Sequence, residues 1–140
     1  MEIPYLDNIK QLCQNTLMQT LGIEFTEYTT SRVSAIMPVN SRVHQPLGML
    51  HGGASVVLAE SIASMGGLLH IKKGNQVVLG QEINANHLKP VMQGQITGIG
   101  TPLHIGHKSQ VWEVKIYNEK QQLICISRCT LAVIESESPL

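Results

Sequence analysis

Glu60 is the residue of this sequence whose surroundings most strongly suggest chemistry. The apolar side chains between residues 54 and 69 occupy every side of a helical wheel, and a helix that is apolar all round is a buried helix. An unpaired carboxylate is costly to bury, and no lysine or arginine lies within four residues of Glu60. Buried acids of this kind are rare and concentrate at functional sites. We therefore favour a general base or nucleophile over the alternative, a structural glutamate that hydrogen-bonds a neighbouring subunit or a buried loop.

Three residues in the same helix could assist such a carboxylate. Ser64 lies one helical turn after Glu60, on the same face, and could hydrogen-bond the carboxylate or a substrate. A serine in a buried helix also bonds to its own preceding turn, and that alternative stays open. Gly52 and Gly53 stand where the helix begins, where free N–H groups carry about half a positive charge. They could hold an anion or a developing oxyanion, or they could form an ordinary glycine turn.

The spacing between Gly52 and Glu60 predicts how many chains build the site. Eight residues separate them, which is about 12 Å along a helix axis. One chain cannot easily bring both groups to the same carbonyl. We therefore expect Gly52 of one subunit to act with Glu60 of another, in an obligate homodimer with two sites at its interface.

The histidines and their basic neighbours are more ambiguous. His51 could polarise a carbonyl or brace the loop before the helix, and Gln45 could supply an amide to a site. His104 and His107 have a metal-like spacing, but the loop around them offers no carboxylate or thiolate, so we predict no metal site. A phosphate-binding rim fits the basic residues better, with solvated surface residues as the alternative. The rim candidates are His87, Lys89, His104, His107 and Lys108, whereas His44 and His70 are interpreted as structural.

Length and composition restrict the possible classes of protein. The 140 residues predict one domain, residues 1–140. Ten basic and ten acidic residues give no net charge, so we expect no nucleic-acid partner. The start of the chain has no signal-peptide pattern, and no segment is apolar and long enough to span a bilayer. We therefore expect a soluble cytoplasmic protein whose three cysteines are buried small hydrophobes.

The hydrophobic pattern predicts the elements that must position these residues. A helical spacing covers residues 5–20, and a strand pattern covers residues 33–39. The buried helix follows a loop over residues 41–50. Strand patterns then cover residues 77–89, 94–100, 110–118 and 123–134. We predict an α+β fold in which an antiparallel sheet wraps around one long central helix, with a short N-terminal helix before it.

These residues resemble a known family. The segment QPLGMLHGGASVVLAES, residues 45–61, is similar to the signature of the hotdog-fold acyl-CoA thioesterases. The branch it resembles holds the 1,4-dihydroxy-2-naphthoyl-CoA hydrolases, the phenylacetate-pathway (PaaI-like) thioesterases and one type of 4-hydroxybenzoyl-CoA thioesterase. The segments GQEINANH, PLHIG and QVW, which begin at residues 80, 102 and 110, also match the naphthoyl-CoA hydrolase pattern. The resemblance covers about residues 20–135, the expected core of the domain.

The resemblance implies a hotdog fold and a role for each motif. Glu60 is then the catalytic carboxylate, and the Gly52 N–H polarises the thioester carbonyl. Gln45 and His51 line the reacting centre, and Ser64 lies beside the acyl group or the carboxylate. The CoA arm runs past Gly80, His87, Leu88, Lys89, Pro90, His104, Ile105, Gly106, His107, Lys108 and Ser109. Lys89 replaces an arginine of the pattern, which keeps the charge but loses the two-pronged geometry.

The function implied is hydrolysis of an acyl-CoA, with an aromatic acyl group such as 1,4-dihydroxy-2-naphthoyl or benzoyl, by dimers that pair into tetramers. CoA is part of the substrate, so no separate cofactor is expected. A medium- or long-chain acyl-CoA and an acyl-carrier-protein substrate stay open as alternatives. A hotdog hydratase usually pairs a histidine with the acid, and a non-catalytic acyl-CoA sensor usually carries a DNA-binding domain. Both fit this sequence less well than a thioesterase.

Overall fold

The structure is a computed structural model that describes residues 6–72 and 74–137. Two short helices come first, followed by two strands, a 3-10 turn, one long helix and four more strands. The elements are α1 (Leu6–Leu12), α2 (Leu17–Leu21), β1 (Glu24–Tyr28), β2 (Val33–Val39), the 3-10 turn (Ser41–Val43), α3 (Gly52–Leu68), β3 (Gln76–His87), β4 (Gly94–Ile105), β5 (Ser109–Tyr117) and β6 (Leu123–Glu135).

The six strands form one antiparallel sheet in the order β1-β2-β4-β5-β6-β3, so β1 and β3 lie at its edges. Its inner face packs against α3, which contacts β2, β3, β4, β5 and β6. The sheet therefore surrounds the helix as the sequence predicted, and the α+β hotdog architecture is confirmed.

Close packing between α3 and the sheet depends on small residues. Leu58 and Ile62 of α3 are fully buried. The β4 glycines Gly98 and Gly100 lie directly against the Ile62 side chain, and a methyl group at either position would overlap it. Gly66 of α3 lies in the same way against the indole ring of Trp112. Since interiors are packed to crystal density, these contacts fix the helix at one position over the sheet.

One stripe of α3 is only half-buried, although the helix is apolar on all sides. This stripe contains Val56, Val57, Glu60, Ser64 and Leu68. A helix that is apolar all round is expected to be enclosed on all sides. The half-buried stripe therefore marks the side of α3 that the described chain leaves partly open, and Glu60 lies on that side.

The N-terminal prediction is wrong in detail. Instead of one helix over residues 5–20, there are two, separated by Cys13–Thr16. Asn15 has a positive φ of 58°, which an α-helix does not accept. The strand β1 was not predicted, because its side chains alternate only partly between buried and exposed. Tyr5 of the predicted helix lies outside the described residues.

Other predictions are close to the structure. β2 has the predicted bounds, and β4 extends five residues further than predicted because a bulge between Pro102 and His104 lets its pairing with β5 continue. The cysteines Cys13, Cys125 and Cys129 are unpaired and buried, as expected. Among the described residues, no helix is both long and apolar enough to cross a membrane.

Candidate active site

The N-terminus of α3 is held by His51, whose backbone is extended (φ −67°, ψ 130°) and whose side chain caps the helix. His51 Nδ1 accepts a hydrogen bond from the Gly53 N–H at 2.8 Å, and the His51 N–H donates to Val43 O at 2.8 Å. In a neutral imidazole, an accepting Nδ1 leaves the proton on Nε2. The cap therefore makes His51 Nε2 a hydrogen-bond donor on an exposed side chain.

Gln45 is oriented by the loop in a similar way. Its N–H donates to Met49 O at 2.8 Å, and its side-chain oxygen Oε1 accepts from the Leu47 N–H. Because the carbonyl of the amide is used within the loop, the Nε2 group is the part left to donate to another molecule. The N–H groups of Gly53, Ala54 and Ser55 bond to His51, so the Gly52 N–H is the backbone donor left at this end of the helix. The loop presents the side-chain donors of Gln45 and His51 at the same end.

Gly52 is the first residue of α3, and the imidazole of His87 lies directly against it. A methyl group on Gly52 would come within 2.7 Å of His87 Nε2. The two residues belong to a cavity of about 310 Å³, the α3 N-terminal cavity. Its lining residues are Gln45, Met49, Leu50, Gly52, Ser55, His87, Leu88, Lys89, Pro90, Val91 and Ile124. The structure therefore brings together Gln45, Gly52 and the predicted segment from His87 to Pro90.

Glu60 lies at the middle of α3 and is its only charged residue. Its carboxylate is seated against the Cα of Gly80, so closely that any side chain at Gly80 would displace it. Gly80 was predicted from the resemblance as a contact of the CoA arm. In the structure it also provides the space that the catalytic candidate occupies.

The negative charge of Glu60 also acts on the thiol of Cys129, which is fully buried on β6. Burial, followed by the negative charges of Glu60 and Glu82, raises the pKa of the Cys129 thiol to about 12. A thiol must lose its proton to act as a nucleophile, so Cys129 is inert at neutral pH. The carboxylate of Glu60, which lies against Gly80, is therefore a better candidate for a base or nucleophile than the Cys129 thiol.

The remaining predicted residues lie at the other end of α3. A second cavity of about 420 Å³, the α3 C-terminal cavity, is lined by His70, Lys72, Gln76, Ile105, Gly106, His107, Lys108, Gln110, Val133 and Glu135. His104 lies against Gly106, and the carbonyl of Ser109 accepts from the Gly106 N–H at 2.9 Å. The described chain therefore does not unite the two predicted CoA-binding segments, because α3, about 25 Å long, separates them.

Sequence reasoning missed several residues of these cavities. Ser55 and Ile124 line the first cavity, and His70, Lys72 and Gln76 line the second. Lys72 is recognisable in the sequence as a basic residue just after the helix. Only the fold shows that it lines the same cavity as Lys108. Within residues 6–72 and 74–137, no three His, Cys, Asp or Glu side chains are grouped so that they could hold a metal ion.

Known proteins resemble this chain both in sequence and in fold. The Thioesterase superfamily profile matches residues 47–125. The proofreading thioesterase EntH of Cronobacter turicensis is 46% identical over 92% of this chain and 93% of its own length. The 1,4-dihydroxy-2-naphthoyl-CoA hydrolase of Escherichia coli is 44% identical over 92% of this chain and 94% of its own length. A solved thioesterase structure from Haemophilus influenzae superimposes with a TM-score of 0.91 at 44% identity, over 96% of this chain and 94% of that one.

The cap on α3 gives a prediction for stability. His51→Ala removes the acceptor for the Gly53 N–H, and we expect the free energy of unfolding to fall by about 1 kcal/mol. His51→Asn keeps a side-chain acceptor at the cap position, so its loss should be only a few tenths of that amount. Urea denaturation at one fixed protein concentration measures both variants. Equal stability of His51→Ala and the wild type would contradict the cap as the determinant of this helix end.

Proposed function

Because the chain belongs to the thioesterase superfamily and is a thioester hydrolase, we propose that it cleaves acyl-CoA with Glu60 as the catalytic carboxylate. This proposal rests on one observation, the position of Glu60 in α3. It is the one charged residue of an otherwise uncharged helix, and it lies on the half-buried side of that helix, against a glycine that leaves it room. The products are the free acid and CoA.

The proposed mechanism begins with the carbonyl. The thioester oxygen binds at the Gly52 N–H, at the positive end of the α3 dipole. The Gln45 and His51 donors lie around the same end of the helix. As the carbonyl is attacked, these donors stabilise the oxyanion, and loss of one such donor typically costs about 3 kcal/mol.

Glu60 supplies the attack by one of two routes. It either takes a proton from a water molecule that adds to the carbonyl, or it adds directly to form a mixed anhydride that water then hydrolyses. In both routes the C–S bond breaks and CoA leaves as a thiolate. Ser64, one turn further along the same stripe, is placed to hydrogen-bond the carboxylate or the acyl group. The reaction in this form uses no metal and no cofactor.

An aromatic acyl group is the substrate we propose. The 44% identical Escherichia coli relative is named as a 1,4-dihydroxy-2-naphthoyl-CoA hydrolase. In this chain, Val56 and Val57 lie half-buried one turn before Glu60, on the same stripe. They offer apolar surface next to the reacting carbon, which suits a flat ring.

We also propose that each active site lies between two copies of the chain. Gly52 and Glu60 are both on α3, about 12 Å apart, so one copy does not present both to one carbonyl. The edge strand β3 offers a surface for a second copy, because edge strands have unpaired backbone groups. Leu79 on this strand is 54% exposed. Pairing of such dimers into tetramers stays a prediction.

The contacts between α3 and β3 support one pairing register. Glu60 lies against Gly80 and Gly52 lies against His87. In the proposed dimer, β3 pairs antiparallel with β3 of a second copy, and Gly80 lies opposite the partner's His87. This pairing brings Glu60 beside the partner's Gly52. Within one chain, the β6 residues that pair with Gly80 and with His87 are six positions apart. The β6 residue midway between them pairs with Asn84. The two-fold axis of the proposed dimer thus passes through Asn84.

The catalytic proposal is tested by CoA release from a panel of aromatic, medium-chain and long-chain acyl-CoA thioesters. We expect the wild type to prefer aromatic thioesters. Glu60→Gln should lower kcat by at least about 100-fold while the melting temperature changes little, since the amide keeps the shape but not the basicity. Glu119→Gln, the same change at an exposed position in the distant β5–β6 turn, is the control. Turnover that survives in Glu60→Gln would move the chemistry to another residue.

The register predicts a specific cross-link. Directly opposite residues of antiparallel strands have Cα atoms about 4.5–5.5 Å apart, within the range of a disulfide. Asn84→Cys should therefore give a disulfide-linked dimer under mild oxidation, visible on a non-reducing gel. Asn86→Cys is the matched control, because its two copies would lie four residues out of register, about 13 Å apart. Equal cross-linking of both variants, or none of either, would overturn this register.

A further inference from the structure

The helix α1 covers the far end of the half-buried stripe of α3. Ile9 of α1 and Cys13, directly after it, are 1% and 8% exposed. The Cys13 N–H donates to Ile9 O at 3.0 Å, so the two residues lie one helical turn apart, on the same side. Both pack with Met65 of α3 in one buried group, the α1 cluster (Ile9, Cys13 and Met65). Leu68, the last residue of the stripe, packs against this cluster.

The open direction along the stripe leads from Glu60 to the α1 cluster. In the proposed dimer the partner's Gly52 lies beside Glu60, and Val56 is midway between these two positions on α3. The two copies of α3 therefore lie side by side at Val56, and the partner occupies that direction. Leu68 lies eight residues after Glu60, about 12 Å along the helix axis. A long acyl group bound at Glu60 therefore extends toward Leu68 and α1.

The α1 cluster and the α3 C-terminal cavity lie at opposite edges of the sheet. Phe25 and Tyr28 of the edge strand β1 pack against the α1 cluster. The α3 C-terminal cavity is lined instead by residues of β3 and β6, at the other edge. The first surface is apolar, whereas the second is rich in polar and basic side chains. The acyl part of a thioester therefore suits the α1 side of the helix.

A cavity of about 410 Å³, the α1–β1 cavity, lies on the other side of the α1 cluster. Its lining residues are Ile9, Lys10, Cys13, Gln14, Gln19, Gly22, Ile23, Glu24 and Phe25. Ile9 and Cys13 thus belong both to this lining and to the α1 cluster. These two side chains stand between the cavity and the end of the stripe. Because protein interiors hold few voids larger than a water molecule, the cavity is space that ligand atoms could fill.

We propose that Ile9 and Cys13 form a partition that limits the length of the acyl group, by separating the acyl site from the α1–β1 cavity. The inference rests on the proposed function and makes α1 an element that determines its specificity. With the partition in place, a short aromatic group fits and a long chain meets the α1 cluster. Removing side-chain atoms from Ile9 joins the two spaces, so that a long chain can bury its end in the cavity.

The test compares decanoyl-CoA with benzoyl-CoA. We expect Ile9→Ala to raise the ratio of kcat/KM for decanoyl-CoA to that for benzoyl-CoA about tenfold, as for burial of additional methylene groups. Ile9→Val removes one methylene group and keeps most of the packing, so it should shift the ratio in the same direction by a smaller factor. Leu12→Ala is the matched control, because Leu12 is 55% exposed on the same helix, and it should leave the ratio unchanged.

A second substitution distinguishes use of the cavity from loosening of α1. Gln14 is exposed and lines the α1–β1 cavity, but it is not part of the α1 cluster. Adding Gln14→Trp to Ile9→Ala places an indole ring in the cavity and should abolish the gain with decanoyl-CoA. A gain that persists in this double variant, or an equal gain in Leu12→Ala, would overturn the partition.

Calorimetry separates this inference from the proposed function. In a Glu60→Gln background, Ile9→Ala should bind decanoyl-CoA about tenfold more tightly than its parent, and the addition of Gln14→Trp should reverse the change. If this binding pattern holds but the wild type hydrolyses no thioester, the proposed function fails and the partition stands. If the wild type hydrolyses aromatic thioesters but Ile9→Ala leaves the affinity for decanoyl-CoA unchanged, the partition is wrong and the proposed function stands.

Discussion

The structure depends on the enclosure of one helix by one sheet. α3 is apolar on every side except for Glu60 and a few serines, so it is stable only where other elements cover it. The sheet covers most of it, and the closeness of that contact is possible because Gly66, Gly98 and Gly100 let large side chains from the opposite element approach the backbone. A carboxylate on such a helix is held in a fixed place. Its position against Gly80 on β3 is a direct result of this packing.

The same helix determines the electrostatics of the site. Its N-terminus provides the Gly52 N–H and a partial positive charge, and the loop before it directs the side chains of Gln45 and His51 so that they also present donors. These groups suit a carbonyl that becomes an oxyanion. Because the rigid helix keeps Gly52 and Glu60 about 12 Å apart, the proposed mechanism requires α3 of a second copy. The proposed chemistry and the proposed dimer thus follow from one geometric constraint.

Much of this could be predicted from the sequence, for physical reasons. The all-apolar helix with a lone carboxylate and the alternation of β2 and β5 reflect burial, which periodicity reports directly. The break at Asn15 could not be predicted, because it comes from a local backbone conformation that the apolar spacing does not show. The separation of His87 from His107 into two cavities was also hidden. These two histidines belong to motifs that the family resemblance assigns to one ligand, yet they lie at opposite ends of α3. Their separation follows from the strand order, which the sequence pattern does not show. His70 was interpreted as structural, and its bond to Thr30 O agrees, but its ring also lines a cavity.

The central claim is that Gly52 of one chain works with Glu60 of another, and hybrid dimers test it directly. Gly52→Pro removes the N–H at the first helix position, and the His87 ring of the same chain must shift to admit the proline. Glu60→Gln removes the carboxylate, and in a hybrid dimer the intact site takes its Gly52 and His87 from the Glu60→Gln chain. Each variant alone should be inactive. If the two are unfolded together, mixed in equal amounts and refolded, half of the dimers are hybrids, and each hybrid has one intact site. Thioesterase activity should then return to about a quarter of the wild-type value. A refolded mixture no more active than its two parents would contradict the shared site.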